Sequence, residues 1–398
     1  MKAKLRRRAQ LWTNQPTLRN GSILTLSVVL LVVILAFTAF SIDVGAITLT
    51  KSQMSNAADA ACLAASRELI SAWGLGAQTN PAMVEQQTRD TAVSIASENE
   101  MLQRSSIYVD GVRDVRLGFR SWNENSQSYD ETWGIPPYNL VEVTVRRDVL
   151  NTGGGSAQAD APLNLFFGPA IGSQTANLTA TATTVLYPVV GFKIPDDSEL
   201  TANVLPIALD ESTWDDVVQG IGQDNYSYDP VTQEITQGSD GIIDFDIYPT
   251  NNSNLPSGNR GTVDFGNSNN STKDLKRQIV SGLNDDDLSH FGGAIRVYPN
   301  PLLVNGDPGI SAGIKSALQS IVGHPRAVPV FRSLSGSGNN ATYEIVKFIG
   351  IRVLAVKLTG GNKYVIVQSA PFNSATAVTN KQKPVEVDSI LSKSVLLR

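Results

Sequence analysis

The side chains best suited to catalysis are few in this chain. Histidine, the commonest general base and metal ligand at neutral pH, occurs only at His290 and His324 among 398 residues. Neither has a second histidine or a cysteine at the spacing of a zinc-ligand pair. His324 follows a helical pattern and precedes Pro325, where a cation complements a helix C-terminus, so both histidines read as structural or solvated. Asp285-Asp286-Asp287 lacks the alternating oxygen ligands, central glycine and terminal glutamate of a calcium loop; it reads as a helix N-terminus or solvated turn, as does Asp196-Asp197-Ser198-Glu199. The glycine pairs Gly74/Gly76 and Gly336/Gly338 do not build a phosphate-cradling loop. These residues lead to no metal, no cofactor and no catalytic residue. Carboxylate pairs that meet only in the fold keep an envelope hydrolase as an alternative.

Charge points to a membrane and away from nucleic acid. Six of the 32 Lys and Arg (Lys2, Lys4, Arg6, Arg7, Arg8 and Arg19) lie in residues 1–20, which contain no acid; the other 26 face 37 acids, so the remainder carries about −11. A body of that sign repels phosphates, and no basic stripe interleaved with aromatics is present. The composition, 41% hydrophobic and 17% charged, is that of a folded chain. Cys62 is the only cysteine, so no intramolecular disulfide forms. It reads as a small buried hydrophobe, with an intermolecular disulfide as the alternative.

Residues 21–42 contain no ionisable side chain, and 14 of the 22 are Leu, Ile, Val or Phe. As a helix they extend about 33 Å, enough to cross the hydrocarbon core of a bilayer. The run is longer than the 7- to 15-residue apolar region of a cleaved signal peptide, so an uncleaved anchor is expected. The six basic residues before it, against Lys51 alone just after it, place the N-terminus in the cytoplasm and the bulk of the chain outside. Beyond Asp43 the helical pattern continues to about Trp73, with Met54, Ala58, Ala61, Ala65 and Leu69 recurring at three- and four-residue steps. Most of that face is alanine, which permits close approach to a neighbour, and a partner helix is the expected occupant.

Arg19-Asn20-Gly21, the apolar run, Ser41-Ile42-Asp43-Val44-Gly45 and Gln53-Met54-Ser55-Asn56-Ala57-Ala58-Asp59-Ala60-Ala61-Cys62-Leu63-Ala64-Ala65 resemble the N-terminal segment of the TadE/TadG-like proteins of bacterial tight-adherence (Flp-type) pilus assembly. Asp43, Gly45, Asn56 and Asp59 carry the family-like motif, and Cys62 stands where alanine is expected. Pilin-like members of the wider group are cleaved after a glycine and carry glutamate five residues on. Here Gly21 is followed at that place by Leu26, so the resemblance implies an anchored accessory protein and not a polymerising pilin. The Asp-x-Ser-x-Ser loop of the von Willebrand type A domain found in some TadG proteins is missing.

Residues 81–104, opened by Pro81, predict a second helix packed against the first. Ile107–Val109, Val115–Phe119 and Leu140–Arg146 predict strands, with a hairpin turn at Asp110-Gly111. Asn151 to Ser156 is a flexible break; Leu163 to Gly168 is apolar, and Leu178 to Leu186 predicts a strand. Beyond residue 190 short apolar segments alternate with polar loops such as Thr250 to Thr272. There a helix over Ile310, Ile314, Leu318 and Ile321, opened by Asp307-Pro308-Gly309, precedes strands at Ala327–Phe331, Tyr343–Ile349, Ile351–Leu358 and Lys363–Gln368. Asp307-Pro308-Gly309-Ile310, Gly323-His324-Pro325-Arg326 and Phe348-Ile349-Gly350-Ile351 look similar to C-terminal regions of some TadG-related proteins.

The expected fold class is α+β: an N-terminal transmembrane helix extended by an Ala-rich helix, then mixed helix and antiparallel-sheet extracytoplasmic domains. The expected organisation is a basic cytoplasmic tail at 1–20, a transmembrane helix at 21–42, a TadE/G-like domain at 43–189 and a strand-rich domain at 190–398. The resemblance implies a non-enzymatic pilus-assembly or secretion component of the cytoplasmic membrane. Its partners would be pilus-assembly or secretion proteins, or a second copy of the chain. An anchored surface-binding protein independent of a pilus is the alternative.

Overall fold

The computed structural model describes residues 22–77, 80–148, 160–248, 260–266, 271–336 and 340–397. The basic tail, the Asn151–Ser156 break and most of the polar loop at 250–272 lie outside these residues. The fold is mixed helix and antiparallel sheet behind one long apolar helix.

Helix α1 (Ser22–Glu68) is continuous and about 70 Å long at 1.5 Å per residue, and a single 3₁₀ turn, Leu69–Ala72, follows it. Helix α2 (Pro81–Ser97) packs beside α1. Its start is local chemistry: Pro81 occupies the first turn, and the Asn80 side chain accepts from the Ala82 N–H at 2.8 Å. The helix expected over 81–104 ends at Ser97, with Glu98 as its C-cap. Residues 107–109 are not a strand; Asp110 Oδ1 accepts from Val112 N and Arg113 N, both at 2.9 Å, and this Asx turn leads into the sheet.

The first sheet begins with β1 (Val115–Asn123), β2 (Ser128–Trp133) and β3 (Leu140–Arg147). A short hairpin of β4 (Leu163–Asn164) and β5 (Thr175–Ala176) precedes β6 (Leu178–Phe192). Then come β7 (Ile207–Asp210), α3 (Glu211–Val218), the hairpin β8 (Tyr226–Tyr228) and β9 (Ile235–Gln237), β10 (Asp244–Asp246) and β11 (Arg260–Val263). Helices α4 (Thr272–Ser281) and α5 (Asp285–Ser289) precede β12 (Ile295–Arg296) and β13 (Leu302–Pro308). After α6 (Lys315–Gln319) the remaining elements are strands: β14 (Pro325–Ser335), β15 (Ala341–Lys357), β16 (Tyr364–Ser369), β17 (Ala377–Thr379) and β18 (Leu391–Leu397).

Strand β6 is the hinge of the topology. Its first half pairs with β3 on one side (Val143↔Ala182, Val145↔Ala180) and with the chain's last strand, β18, on the other (Val395↔Val185, Leu397↔Thr183); its far end pairs with β12 and β17. Position 190, the expected boundary, falls within this strand. The small, buried Ala180 and Ala182, with Val141, Val143 and Val145, make the seat on which α1 lies.

In the second sheet, β15, β13, β11, β7 and β14 pair in that order, and β14 pairs again with β15, so five strands close into a ring. All pairs are antiparallel except β14 with β7. β16 and β10 extend it. One face of these strands puts Val263, Val304, Tyr343 and Ile345 into a core with Phe192; the other puts Leu209, Val330, Ile349 and Val353 under α3, α4 and α6. The buried Tyr343 ring fits because its neighbours are glycines: a Cβ on Gly306 would come within 2.9 Å of the ring, and one on Gly261 nearer still.

Candidate functional site

The sequence-predicted residues lie along α1, and the two halves of that helix meet different surroundings. From Ile23 to Ile42 the side chains are exposed except half-buried Ala39. The helix is long and apolar enough to cross a membrane. From Asp43 onward one stripe is buried: Ala46, Thr50, Met54, Ala57, Ala58, Ala61, Cys62, Ala65 and Leu69.

Met54, Ala58, Ala61 and Ala65 have no solvent exposure and Leu69 has 1%. They belong to one core with Val84, Ala92 and Ala96 of α2 and the inward valines of β3. Within the chain this face is covered by α2, the neighbouring helix expected beside it, and also by the chain's own sheet, which no helical pattern announces. Alanine matters here because it lets the helix approach the strands closely enough for side chain to meet backbone. Cys62 Sγ donates to Val141 O at 3.1 Å, and burial pushes its thiol up to about 11. In this chain Cys62 is a buried free thiol facing its own sheet.

The motif residues separate by role. Asp43 is 8% exposed, and its carboxylate accepts from the backbone N–H groups of Phe166, at 2.7 Å, and Phe167, at 3.1 Å. The first polar residue beyond the apolar run thus holds a loop 123 residues away. Two turns further on, the Lys51 ammonium donates to Thr179 O at the start of β6. Gly45 and Asn56 are exposed and Asp59 is half-buried. At the end of the segment, Trp73 stacks on Phe119 and donates from Nε1 to Ser389 O at 2.9 Å. The adjacent Asp388 accepts from Trp214 Nε1 at 2.7 Å and Lys347 Nζ at 2.9 Å. The segment Asp388–Ser389 therefore ties the end of α1 to the strand-rich region.

The residues weighed for catalysis are dispersed. His290 is the exposed C-cap of α5, and His324 is exposed in the turn after α6. Asp285-Asp286-Asp287 forms the first turn of α5. There Asp287 closes a capping box with Asn284 and accepts from Arg277 Nη2 at 2.5 Å. Among the described residues no group of three or more His, Cys, Asp or Glu could hold a metal ion. Gly309-Ile310-Ser311-Ala312-Gly313 has the Gly-x-Ser-x-Gly spelling of a nucleophile elbow. Ser311 is instead the extended N-cap of a 3₁₀ turn, and its hydroxyl accepts from Gly313 N. Asp307 and Pro308 lie in β13, so Ser311 and not Asp307 opens this helical turn.

Two features escaped the sequence reading. Phe166 and Phe167 are 57% and 44% exposed on the loop that Asp43 holds; their only signal was an apolar run lacking strand alternation. An open apolar trough also lies between α1 and β18, lined by Ala60, Leu63, Ala64, Arg67, Lys393 and Val395.

Residues 21–73 match the model of a family described as putative Flp pilus-assembly TadE/G-like. The match covers α1, the 3₁₀ turn and Trp73. No curated protein and no solved structure matches the chain.

Proposed function

We propose that this chain is a membrane-anchored, non-catalytic component of tight-adherence (Flp-type) pilus assembly or secretion in the bacterial envelope. The observation that carries this reading is the family match over 21–73, which coincides with the one element that is apolar all round at one end and docked to a folded body at the other. In this reading residues 21–42 span the cytoplasmic membrane once. The basic residues at 1–20 stay in the cytoplasm by the positive-inside rule, and a TadE/G-like unit (43–189) and a strand-rich unit (190–398) stand outside. The rod gives the body a fixed footing: α1 enters it without a break, so the body cannot swing freely about a linker. Its partners are membrane proteins of the pilus or secretion apparatus. With the alanine face occupied within the chain, such a partner meets the span or the outer surface of the body.

The test is deletion of the gene in its own host, complementation with wild type or with a chain whose span is replaced by an unrelated transmembrane helix, and co-purification from solubilised membranes. The reading predicts loss of piliation on deletion, recovery with wild type, and capture of pilus-assembly or secretion membrane proteins. Normal piliation in the deletion strain with loss of surface attachment would contradict it and indicate a binding protein independent of a pilus.

A further inference from the structure

Resting on the anchored reading above, we infer that the loop bearing Phe166 and Phe167 is a second membrane contact, which seats these two rings in the interface of the bilayer that α1 crosses. Four observations lead there. Among the described residues outside α1, Phe166 and Phe167 are the only exposed large apolar side chains that are adjacent in sequence; the others, such as Val112, Leu200 and Val231, stand alone. Their height is fixed by Asp43, one residue past the last of the uncharged run, through hydrogen bonds at 2.7 and 3.1 Å. Side chains on an α-helix lean toward its N-terminus. The Asp43 carboxylate, and the loop amides with it, are therefore drawn toward the span and away from the body. Finally, Ala161 to Asn177 contains no Asp, Glu, Lys, Arg or His, so the whole loop can approach hydrocarbon without dehydrating a charge.

The loop is also built to hold its shape. β4 and β5 close its base, Leu165 N donates to Gln174 O at 3.0 Å, and Ser173 N donates to Gly168 O at 3.0 Å. A preformed loop pays little ordering entropy on insertion. Aromatic and aliphatic groups at the boundary of headgroups and acyl chains are the means by which interfacial segments bind. Asp43 accounts for the arrangement: a carboxylate at that depth needs partners, and the two backbone N–H groups it takes belong to the residues whose side chains enter the lipid. Span and loop together give two points of attachment, which sets the tilt and rotation of the body on the membrane.

The experiment uses the full chain reconstituted in phosphatidylcholine/phosphatidylglycerol vesicles, with an environment-sensitive fluorophore on Ala170→Cys. This exposed loop position leaves both phenylalanines in place, and Cys62 is buried from the reagent. A second label on Val231→Cys, 89% exposed in the β8–β9 turn, serves as the aqueous control. Flotation with the vesicles after alkaline carbonate wash reports the anchor separately. The inference predicts that the chain floats, that the Ala170→Cys label is quenched by shallow nitroxide lipids and shielded from iodide, and that Phe166→Ser with Phe167→Ser abolishes the lipid quenching while flotation persists. Lipid quenching that persists in that double variant would deny the two rings the role. A floating chain whose loop label is quenched by iodide as strongly as the Val231→Cys label would overturn the inference and leave the anchor standing. A floating chain whose label neither agent reaches would place protein over the loop and also overturn it. A chain that does not float would remove the anchored reading, and this inference with it.

Discussion

The two halves of α1 are one helix built for two surroundings, and they achieve burial in opposite ways. From Ser22 to Ile42 the apolar groups are large and point in every direction, and the chain itself covers almost none of them. From Asp43 to Glu68 half of the buried residues are alanines, they lie on one stripe, and the chain covers Ala57, Ala58, Ala61 and Ala65 completely. Hydrophobicity alone does not say which half docks. Lipid conforms to any apolar surface, so the first half needs only bulk and length; a sheet is rigid, so the second half needs a smooth stripe that two backbones can share. Asp43, where one regime gives way to the other, holds the Phe166–Phe167 loop.

Charging the apolar half is expected to have the largest effect. Leu30→Arg with Ile34→Arg costs roughly 2.5–3.5 kcal/mol per residue at mid-membrane, comparable to the whole favourable insertion energy. Membrane retention after carbonate extraction should collapse, whereas Asn56→Arg, on the exposed face of the other half, should leave it unchanged. Next is Ala61→Leu, which overpacks a residue with no exposure. A loss of about 1–3 kcal/mol should lower the melting temperature of the solubilised chain, while Val33→Leu in the apolar half should not move it. Equal effects would erase the distinction between the halves.

Asp43→Ala removes the acceptor of two backbone N–H groups, worth roughly 1–3 kcal/mol if they stay unpaired. Limited proteolysis should then cut the loop at 163–174, whereas exposed Gly45→Ala should not expose it. Cys62, with its thiol pushed up to about 11 by burial, should resist a neutral maleimide at pH 7.5 until the chain is unfolded. Ready labelling of the native chain would mean that the stripe is not docked. The smallest effect concerns an ion pair of the strand-rich region. Arg332 Nε lies 2.8 Å from Glu211 Oε2 and holds the Glu211 carboxyl below its ordinary value. A depressed carboxylate stabilises the fold above its unfolded value and loses that contribution as pH falls through the folded one. Glu211→Gln should therefore lower the melting temperature slightly at pH 7 and progressively less as the solution is acidified.

What the sequence disclosed followed the range of the interactions involved. The span and the Met54–Leu69 stripe are read within one helix, and the Asn80-Pro81 start within three residues. The pairing of α2 with the stripe is legible too, but the rest of its cover is not, because that seat is made by β3 and β6, about 80 to 120 residues further on. The pairing of β18 with β6 joins Leu396 to Thr184, which no local pattern encodes. The local pattern predicts separate strands on either side of Gly350. Gly350 lies inside the 17-residue β15, where a Cβ would meet Ala370 O at 2.4 Å. There glycine serves close approach and does not end the strand. Asp43 was visible as a motif residue, yet its partners Phe166 and Phe167 were not, since a carboxylate gives no hint of which distant amides it will accept.

In the proposed topology α1 crosses the membrane once and carries the folded body on the far side. The most direct measurement is protease accessibility of a C-terminal tag in intact spheroplasts, with a cytoplasmic protein as the sealed control. With that topology the tag is digested while the control survives and the chain stays in the membrane fraction. A tag that survives until the spheroplasts are lysed would contradict it.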